Sequence, residues 1–399
     1  MAGADLIALD DARALVLEHV SPLGEELVAL DAGLGRVLAE SVRAPFDVPG
    51  YDNSAMDGYA LSAAGSAPGA RLRVTMESRA GAPAERALSD GEACAISTGA
   101  AIPRGADAVI RVEDTRRDGE HVELAVAVTA AANIRRAGED VRAGEVVLAP
   151  GVRLGPAELG VLAELGRATI GVGMRPRVAL VTTGDELVAV GEPLPFGRVH
   201  NSGAVVIPAL VERAGGVTLS SAHARDDPAL VREVLVAALE ADVAVICGGM
   251  SVGEHDHVAA QLAGLGSKCH FAGVALKPGR PTLFATHGRT LVFGLPGNPV
   301  SSLVTFLLFA RPALLALAGE RPDARRAVAA LAEEVPQEPG RAQALRCRLE
   351  LTDDGWRART TGPQGSHVLT SMLDAEAFAM IPAGSGALAA GTRVVIELL

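Results

Sequence analysis

Between residues 177 and 319 short apolar runs alternate with amphipathic ones, and this alternation constrains the fold more than any other feature of the chain. Residues 177–181 read as a strand, 201–214 as a helix with an Asn/Ser cap and a stop at Gly215, and 217–222 as a second strand. Asp227-Pro228 supplies an N-cap and a proline at the first helical position for a helix over 228–240. An apolar strand at 242–246 then runs into Gly248-Gly249. The stretch 282–293 reads as a hairpin, and Asn298-Pro299 opens a helix that ends near Gly319. Strands separated by helices need crossover connections, so the expectation is a parallel sheet with helices on both faces.

The flanking segments have a different texture. Residues 10–20 form an acid-capped helix and 34–40 read as a second, before Pro45, Pro49 and Gly50 break the pattern and set a boundary near residue 44. Runs at 72–76, 106–112 and 122–128 are short and β-like, separated by Gly, Pro and Asp turns, which marks a β-rich insert. Residues 141–174 return to an extended piece and a short helix over 156–165. After a linker at Arg321-Pro322, runs such as 345–351 and 392–398 alternate with turns and predict a small all-β terminal domain. A chain of 399 residues holds several cores. The expected divisions are 1–43 with 141–174, 44–140, 175–321 and 326–399.

Charge and composition narrow the function. A net charge of −12 and a pI near 5.3 argue against a general nucleic-acid or anionic-membrane binder, since both need a basic face. Aromatics at 3% leave too few stacking platforms for single-stranded nucleic acid. Any anion the chain handles must therefore be met by a local basic cluster. The longest apolar stretch, 303–310 followed by Arg311, falls short of the roughly 18 residues that span a bilayer. The first ten residues carry Asp5 and Asp10 but no Lys or Arg, and no apolar run follows, so no secretory signal is expected and a cytoplasmic location is. Cys94, Cys247, Cys269 and Cys347 are too far apart for a CxxC pair and read as small buried thiols.

Three acidic loops follow predicted strand ends: TTGDEL (182–187), RDDP (225–228) and GGMSVGEHD (248–256). Ligands of open parallel sheets gather at the carboxyl ends of the strands, so Asp185, Glu186, Asp226, Glu254 and Asp256 are expected to converge on one crevice. Carboxylates beside glycine loops suit a hard divalent cation that bridges phosphate oxygens, above all Mg²⁺. Asp227, before Pro228, reads instead as a helix cap. Gly248-Gly249 lets backbone amides approach an anion, or simply makes a tight turn. His255 and His257 flank Asp256 without a third soft ligand nearby, and solvated loop histidines are favoured over a zinc site. Further on, ALKPGRP (275–281) sets Lys277 and Arg280 around a Pro-Gly turn, and GLPGNPVS (294–301) puts Ser301 in the first turn of a helix. Two cations near a helix start and a hydroxyl make an oxyanion pocket, with an ordinary capped hairpin entry as the alternative.

Taken in order, SAMDGYA (54–60), ISTGA (96–100), AGED (137–140), TTGDEL, RDDP, GGMSVGE, LKPGRP, GLPGNPVS and TGPQGSH (361–367) resemble the molybdopterin molybdenumtransferase family, the molybdenum insertases that include the E domain of gephyrin. The match runs over nearly the whole chain. The resemblance implies a multidomain α/β plus β fold: a parallel α/β molybdopterin-binding domain, a β-rich inserted domain, an elongated linker domain used in dimerisation and a small C-terminal β-barrel-like domain. It implies a homodimer that joins molybdate to adenylylated molybdopterin with Mg²⁺-dependent release of AMP. The pterin adenylyltransferase and molybdoenzyme clients would be further partners.

Under that resemblance Glu186, Asp226 and Asp256 serve the Mg²⁺ and pyrophosphate side, with Gly248, Gly249, Ser251, Gly253 and Pro281 in the substrate loops. Lys277, Arg280, Ser301, Arg346 and Ser366 serve the molybdate side, and the partner's Asp57 and Thr98 act in trans. Alternatively, Asp57 fixes its Asp-Gly turn and Thr98 caps a loop. Two departures stand out: Gly273 occupies a position where some members carry a second lysine, and Arg280 stands where many carry lysine. Arg341 and Arg348 compete with Arg346 for its role. Tungstate in place of molybdate, a non-catalytic pterin-binding scaffold, and a different enzyme on the same α/β domain are the rival readings.

Overall fold

The computed structural model describes residues 6–250, 257–322 and 325–399. The chain divides into two compact units, one formed by residues up to Ala39 with Pro150–Pro156 and Thr169–Leu399, the other by Glu40–Ala149 and Ala157–Ala168.

The larger unit is built on a six-stranded sheet. Four parallel strands run in the order Val217–Ala224, Arg177–Thr183, Val243–Cys247 and Thr290–Leu295, and two antiparallel strands, Leu283–His287 and Lys268–Ala272, complete the edge. Because side chains alternate along a strand, Val178 and Leu180 enter one core while Ala179 and Val181 enter the other. Ile207 and Val211 of the helix Gly203–Arg213, with Val304, Phe306 and Phe309, cover the first face. Val231 and Leu235 of the helix Pro228–Ala238, with Val258 and Leu262, cover the second. The expected parallel α/β layering is therefore present, with an antiparallel edge added. Asp227 caps its helix as expected, its Oδ1 accepting from the amides of Ala229 and Leu230 at 2.9 and 3.0 Å.

Five strands, Arg326–Leu331, Ala342–Thr352, Gly355–Thr360, Ala377–Ile381 and Arg393–Leu398, close into a small barrel near the C-terminus. A two-residue strand, Leu276–Lys277, pairs with Ala342 and Gln343 of that barrel, which ties the lysine of the LKPGRP loop to the barrel wall. The smaller unit is a mixed six-stranded sheet buried on both faces: Tyr59, Leu61 and Ile110 enter one core, Ala60, Cys94 and Val109 the other.

Three expectations are corrected. Residues 34–40 do not form a helix; after a short 3₁₀ turn at Leu30–Ala32, Val37 and Leu38 make isolated bridges to Arg153 and Val172. Gly35, at φ 73°, sits in the left-handed region that a right-handed helix cannot pass through. Cys269 is exposed, on the edge strand, whereas Cys94, Cys247 and Cys347 are buried. Finally, Pro299–Leu317 is one 19-residue helical run of mean hydropathy 1.9, long and apolar enough by composition to span a membrane. Its most apolar window is 72% buried within the protein, the environment of a core helix.

Candidate functional site

The carboxyl ends of the four parallel strands open into a cavity of about 670 Å³. The first strand, Arg177–Thr183, has neighbours on both sides that follow it in sequence, so the order of strands reverses between it and Val243–Cys247. Crevices form at such reversals because the following loops leave in opposite directions. Thr183 and Gly248 meet there, and the local backbone requires glycine. Gly248 has φ 97°, and a Cβ on it would lie 2.5 Å from the Thr183 carbonyl oxygen. On Gly249, at φ 64°, a Cβ would lie 2.8 Å from Val258 Cγ2.

Glu186, Asp226, Gly248, Gly249 and Pro281 all line this cavity, so the structure brings five of the expected residues together. Gly184 clears space for the Glu186 carboxylate, whose oxygens lie 2.6 and 2.7 Å from where a Cβ would be. Asp226 accepts from the Asp185 amide at 3.2 Å, and neither Glu186 nor Asp226 forms an ion pair among the described residues. Asp185 does not line the cavity. Its carboxylate binds Arg225 at 2.9 Å, and that bond holds it below the usual carboxylate range. Ser251, Gly253, Glu254, His255 and Asp256 lie outside the described residues. His257, at the start of the helix Val258–Gly264, belongs to no group of three or more potential metal ligands among the described residues.

A second cavity of about 390 Å³ lies against the barrel and is lined by Lys277 and Arg346. Arg346 is fully buried yet has no carboxylate partner among the described residues. Its Nε donates to Ser371 Oγ at 3.1 Å and its Nη2 to the carbonyls of Pro363 and Gly365, while its Nη1 has no partner. Burial pushes its pKa below the ordinary value. Gln343 Oε1, from the same wall, is also buried and unpaired. The rivals of Arg346 are engaged elsewhere: Arg341 binds Glu338 at 3.1 Å, and Arg348 binds Asp374 at 2.5 Å.

The smaller cavity gathers only Lys277 and Arg346 of the residues expected to form an oxyanion pocket. Lys277 is ion-paired with Glu338, whose pKa is lowered chiefly by that contact, and Glu333 and Glu334 also line the wall. Arg280 is exposed and lines neither cavity. Ser301 is 4% exposed inside its helix and also lines neither; its neighbour Ser302 faces the larger cavity. Ser366 contributes its carbonyl, which accepts from the Val300 amide at 3.1 Å. In the other unit Asp57 and Thr98 do meet. Asp57 Oδ1 accepts from the Thr98 amide at 2.6 Å and from its hydroxyl at 2.9 Å, which lowers the carboxyl pKa, the amide bond most.

Sequence reasoning missed several lining residues. Thr183, buried with an unpaired Oγ1, Asn298, Ser302 and His367 face the larger cavity, and Gln364 faces the smaller. All but Ser302 sit inside quoted motifs, so the motifs marked the loops but not the side chains. Cys247 also touches the larger cavity, but burial pushes its thiol up to about 12, which keeps it neutral and unsuited as a nucleophile.

Residues Glu186 and Asp226 suit Mg²⁺. No cluster of three or more His, Cys, Asp or Glu forms a closed cage among the described residues, and Mg²⁺ commonly takes only one or two carboxylates, completing its shell with water and substrate phosphates.

Comparison with known proteins gives a consistent picture. Residues 7–166 match the MoeA N-terminal region (domain I and II), 179–316 a probable molybdopterin binding domain, and 328–399 the MoeA C-terminal region (domain IV). The chain is 34% identical to the molybdopterin molybdenumtransferase of Haemophilus influenzae over 98% of each chain. It is also 34% identical to that of Bacillus subtilis, over 96% of this chain and 91% of the relative. A crystal structure of the molybdopterin biosynthesis moeA protein from Pyrococcus horikoshii superposes with a TM-score of 0.84 at 31% identity, covering 99% of this chain and 100% of the other.

Proposed function

The chain belongs to the molybdopterin molybdenumtransferase family and is a transferase of molybdenum cofactor biosynthesis, and from that premise we propose that it joins molybdate to adenylylated molybdopterin with release of AMP. In this reading the larger cavity takes the pterin diphosphate and the smaller takes the tetrahedral dianion. One observation carries it: the same two chain segments, 277–281 and 364–367, contribute lining residues to both cavities. Lys277 and Pro278 line the smaller and Pro281 the larger, while Gln364 and Gly365 line the smaller and His367 the larger. Two guests seated there are met by neighbouring residues of the same two loops.

Each guest is an anion, so their repulsion must be offset locally. Arg346 supplies a buried cation whose Nη1 has no partner, and a dianion beside it would compensate a charge that otherwise sits desolvated. Lys277 reaches the same space once its Glu338 partner yields. The Gly248-Gly249 turn and the Thr183 hydroxyl offer donors to the phosphate oxygens. Glu186 and Asp226 would hold Mg²⁺ with those oxygens, and the ion would supply charge neutralisation and polarisation of the phosphoanhydride. Positioning by these fixed groups replaces the water that free reactants would need to shed.

We also propose a homodimer working in the cytoplasm, with the partner's Asp57 and Thr98 completing the site. Mixing Asp57→Ala with Asp226→Ala subunits then restores part of the activity in heterodimers. No recovery after confirmed subunit exchange removes the trans role. The direct test of the activity itself is AMP release from adenylylated molybdopterin by the purified protein with Mg²⁺, titrated with molybdate and separately with tungstate. No molybdate-dependent release would overturn the reading, and a preference for tungstate would change the oxyanion.

A further inference from the structure

We infer that His367 is the side chain with which the C-terminal barrel region reads the substrate in the larger cavity, and that its loop, residues 361–368, couples that cavity to the smaller one. This inference deepens the proposed function and rests on it. His367 lies on no strand or helix of the α/β sheet, yet it lines the crevice at the sheet's carboxyl edge, as do Asn298 and Pro299. Val300 donates to the carbonyl of Ser366, the preceding residue, which sets this part of the loop against that stretch. A Cβ on Gly297 would lie 3.6 Å from the Cα of Gly248, and both glycines line the same cavity as His367.

The same loop is fastened at its other end to the smaller cavity. The Arg346 amide donates to Gln364 Oε1 at 2.9 Å, Gln364 Nε2 returns a bond to the Arg346 carbonyl at 3.3 Å, and the Arg346 guanidinium holds the carbonyls of Pro363 and Gly365. That guanidinium keeps Nη1 free. An oxyanion bound to Nη1 fixes the guanidinium, the guanidinium fixes residues 363–365, and His367 follows two residues later. Since binding energies are reciprocal, occupancy of either cavity then favours the other through this loop. At Gly365 a Cβ would lie 3.0 Å from His367 Cε1, so any larger residue displaces the imidazole.

The experiment uses the intact chain, with ADP plus Mg²⁺ as the probe of the larger cavity and tungstate as the probe of the smaller, both followed by calorimetry. In the unaltered protein saturating tungstate tightens ADP binding several-fold. His367→Ala weakens ADP by about tenfold, the loss of one hydrogen-bonded contact, and leaves the tungstate affinity unchanged. His367→Gln, which keeps a hydrogen-bonding side chain, recovers part of that loss. Gln364→Ala, at a residue that also lines the smaller cavity, is read by the coupling ratio: ADP affinity measured with and without saturating tungstate becomes the same, whatever the tungstate affinity itself. An unchanged ADP affinity in His367→Ala, or full coupling in Gln364→Ala, overturns this inference while the two-cavity reading stands. Failure of the unaltered protein to bind either probe overturns the reading, and the inference with it.

Discussion

Arg346 and Gln364 hold each other through a reciprocal pair of bonds, backbone amide to side-chain carbonyl and side-chain amide to backbone carbonyl. A strand of the barrel thereby fixes a loop that reaches the α/β crevice, and the candidate site becomes a property of two layers of the fold rather than of one.

Removing either free carboxylate should disable turnover. Asp226→Asn and Glu186→Gln are each expected to lower AMP release by roughly a hundredfold, about 2.7 kcal/mol at the barrier, with partial recovery at high Mg²⁺. A Mg²⁺ titration that superposes on that of the unaltered protein would take these residues out of the metal role.

The two neighbouring serines should separate cleanly. Ser302→Ala, facing the larger cavity, is expected to raise the KM for adenylylated molybdopterin about three- to tenfold, whereas Ser301→Ala changes it by less than about twofold. Equal effects in steady-state assays would show that helix phase does not decide the contact.

Glu338 competes with the oxyanion for Lys277. Glu338→Gln should free the ammonium and lower the KM for molybdate about three- to tenfold. If the molybdate titration is unmoved, Lys277 does not reach the anion.

Alanine at position 248 combines a left-handed backbone with a Cβ 2.5 Å from the Thr183 carbonyl. The cost expected in a urea denaturation is about 1–3 kcal/mol, together with lost binding in the larger cavity. Retention of both stability and ADP binding would mean that the loop relaxes freely.

In the smaller unit Glu92 accepts two bonds from Arg86 and one from the Ser89 amide, and its carboxyl falls from an ordinary 4.5 to about 2, the Arg86 bonds contributing most. A carboxyl lowered by folding stabilises the fold above its unfolded pKa, and that stabilisation fades as pH falls from about 4.5 toward 2. Arg86→Met should flatten this part of the acid profile. Tyr59, buried in the same unit, provides the spectroscopic probe, and an identical profile in the variant would assign the acid sensitivity to other groups.

Much of the α/β layer was legible because a two-residue and a 3.6-residue period differ plainly over five to eleven residues, and Asp227-Pro228 marked its helix start without ambiguity. Residues that depend on phase or on distant covering segments were not. Ser301 and Ser302 differ by one step of helix, and the sequence does not say which step faces a cavity. Arg346 and Arg348 share a parity on one strand, yet only Arg346 is buried, because the loop at 361–368 and the turn at Leu369–Met372 lie over it. His367 reaches the crevice through that same covering loop, a long-range closure with no local signature. The 34–40 segment differs for the opposite reason: its apolar spacing is helical in appearance, but the left-handed backbone at Gly35 and bridges to remote residues decide its form.

Because Leu276–Lys277 zips onto Ala342 and Gln343, the barrel is no detachable cassette. Any recombination that exchanged the C-terminal module while keeping the α/β core would strip the lysine of its seat. Grafts between relatives should therefore carry the 276–281 loop and the barrel together, as one heritable block.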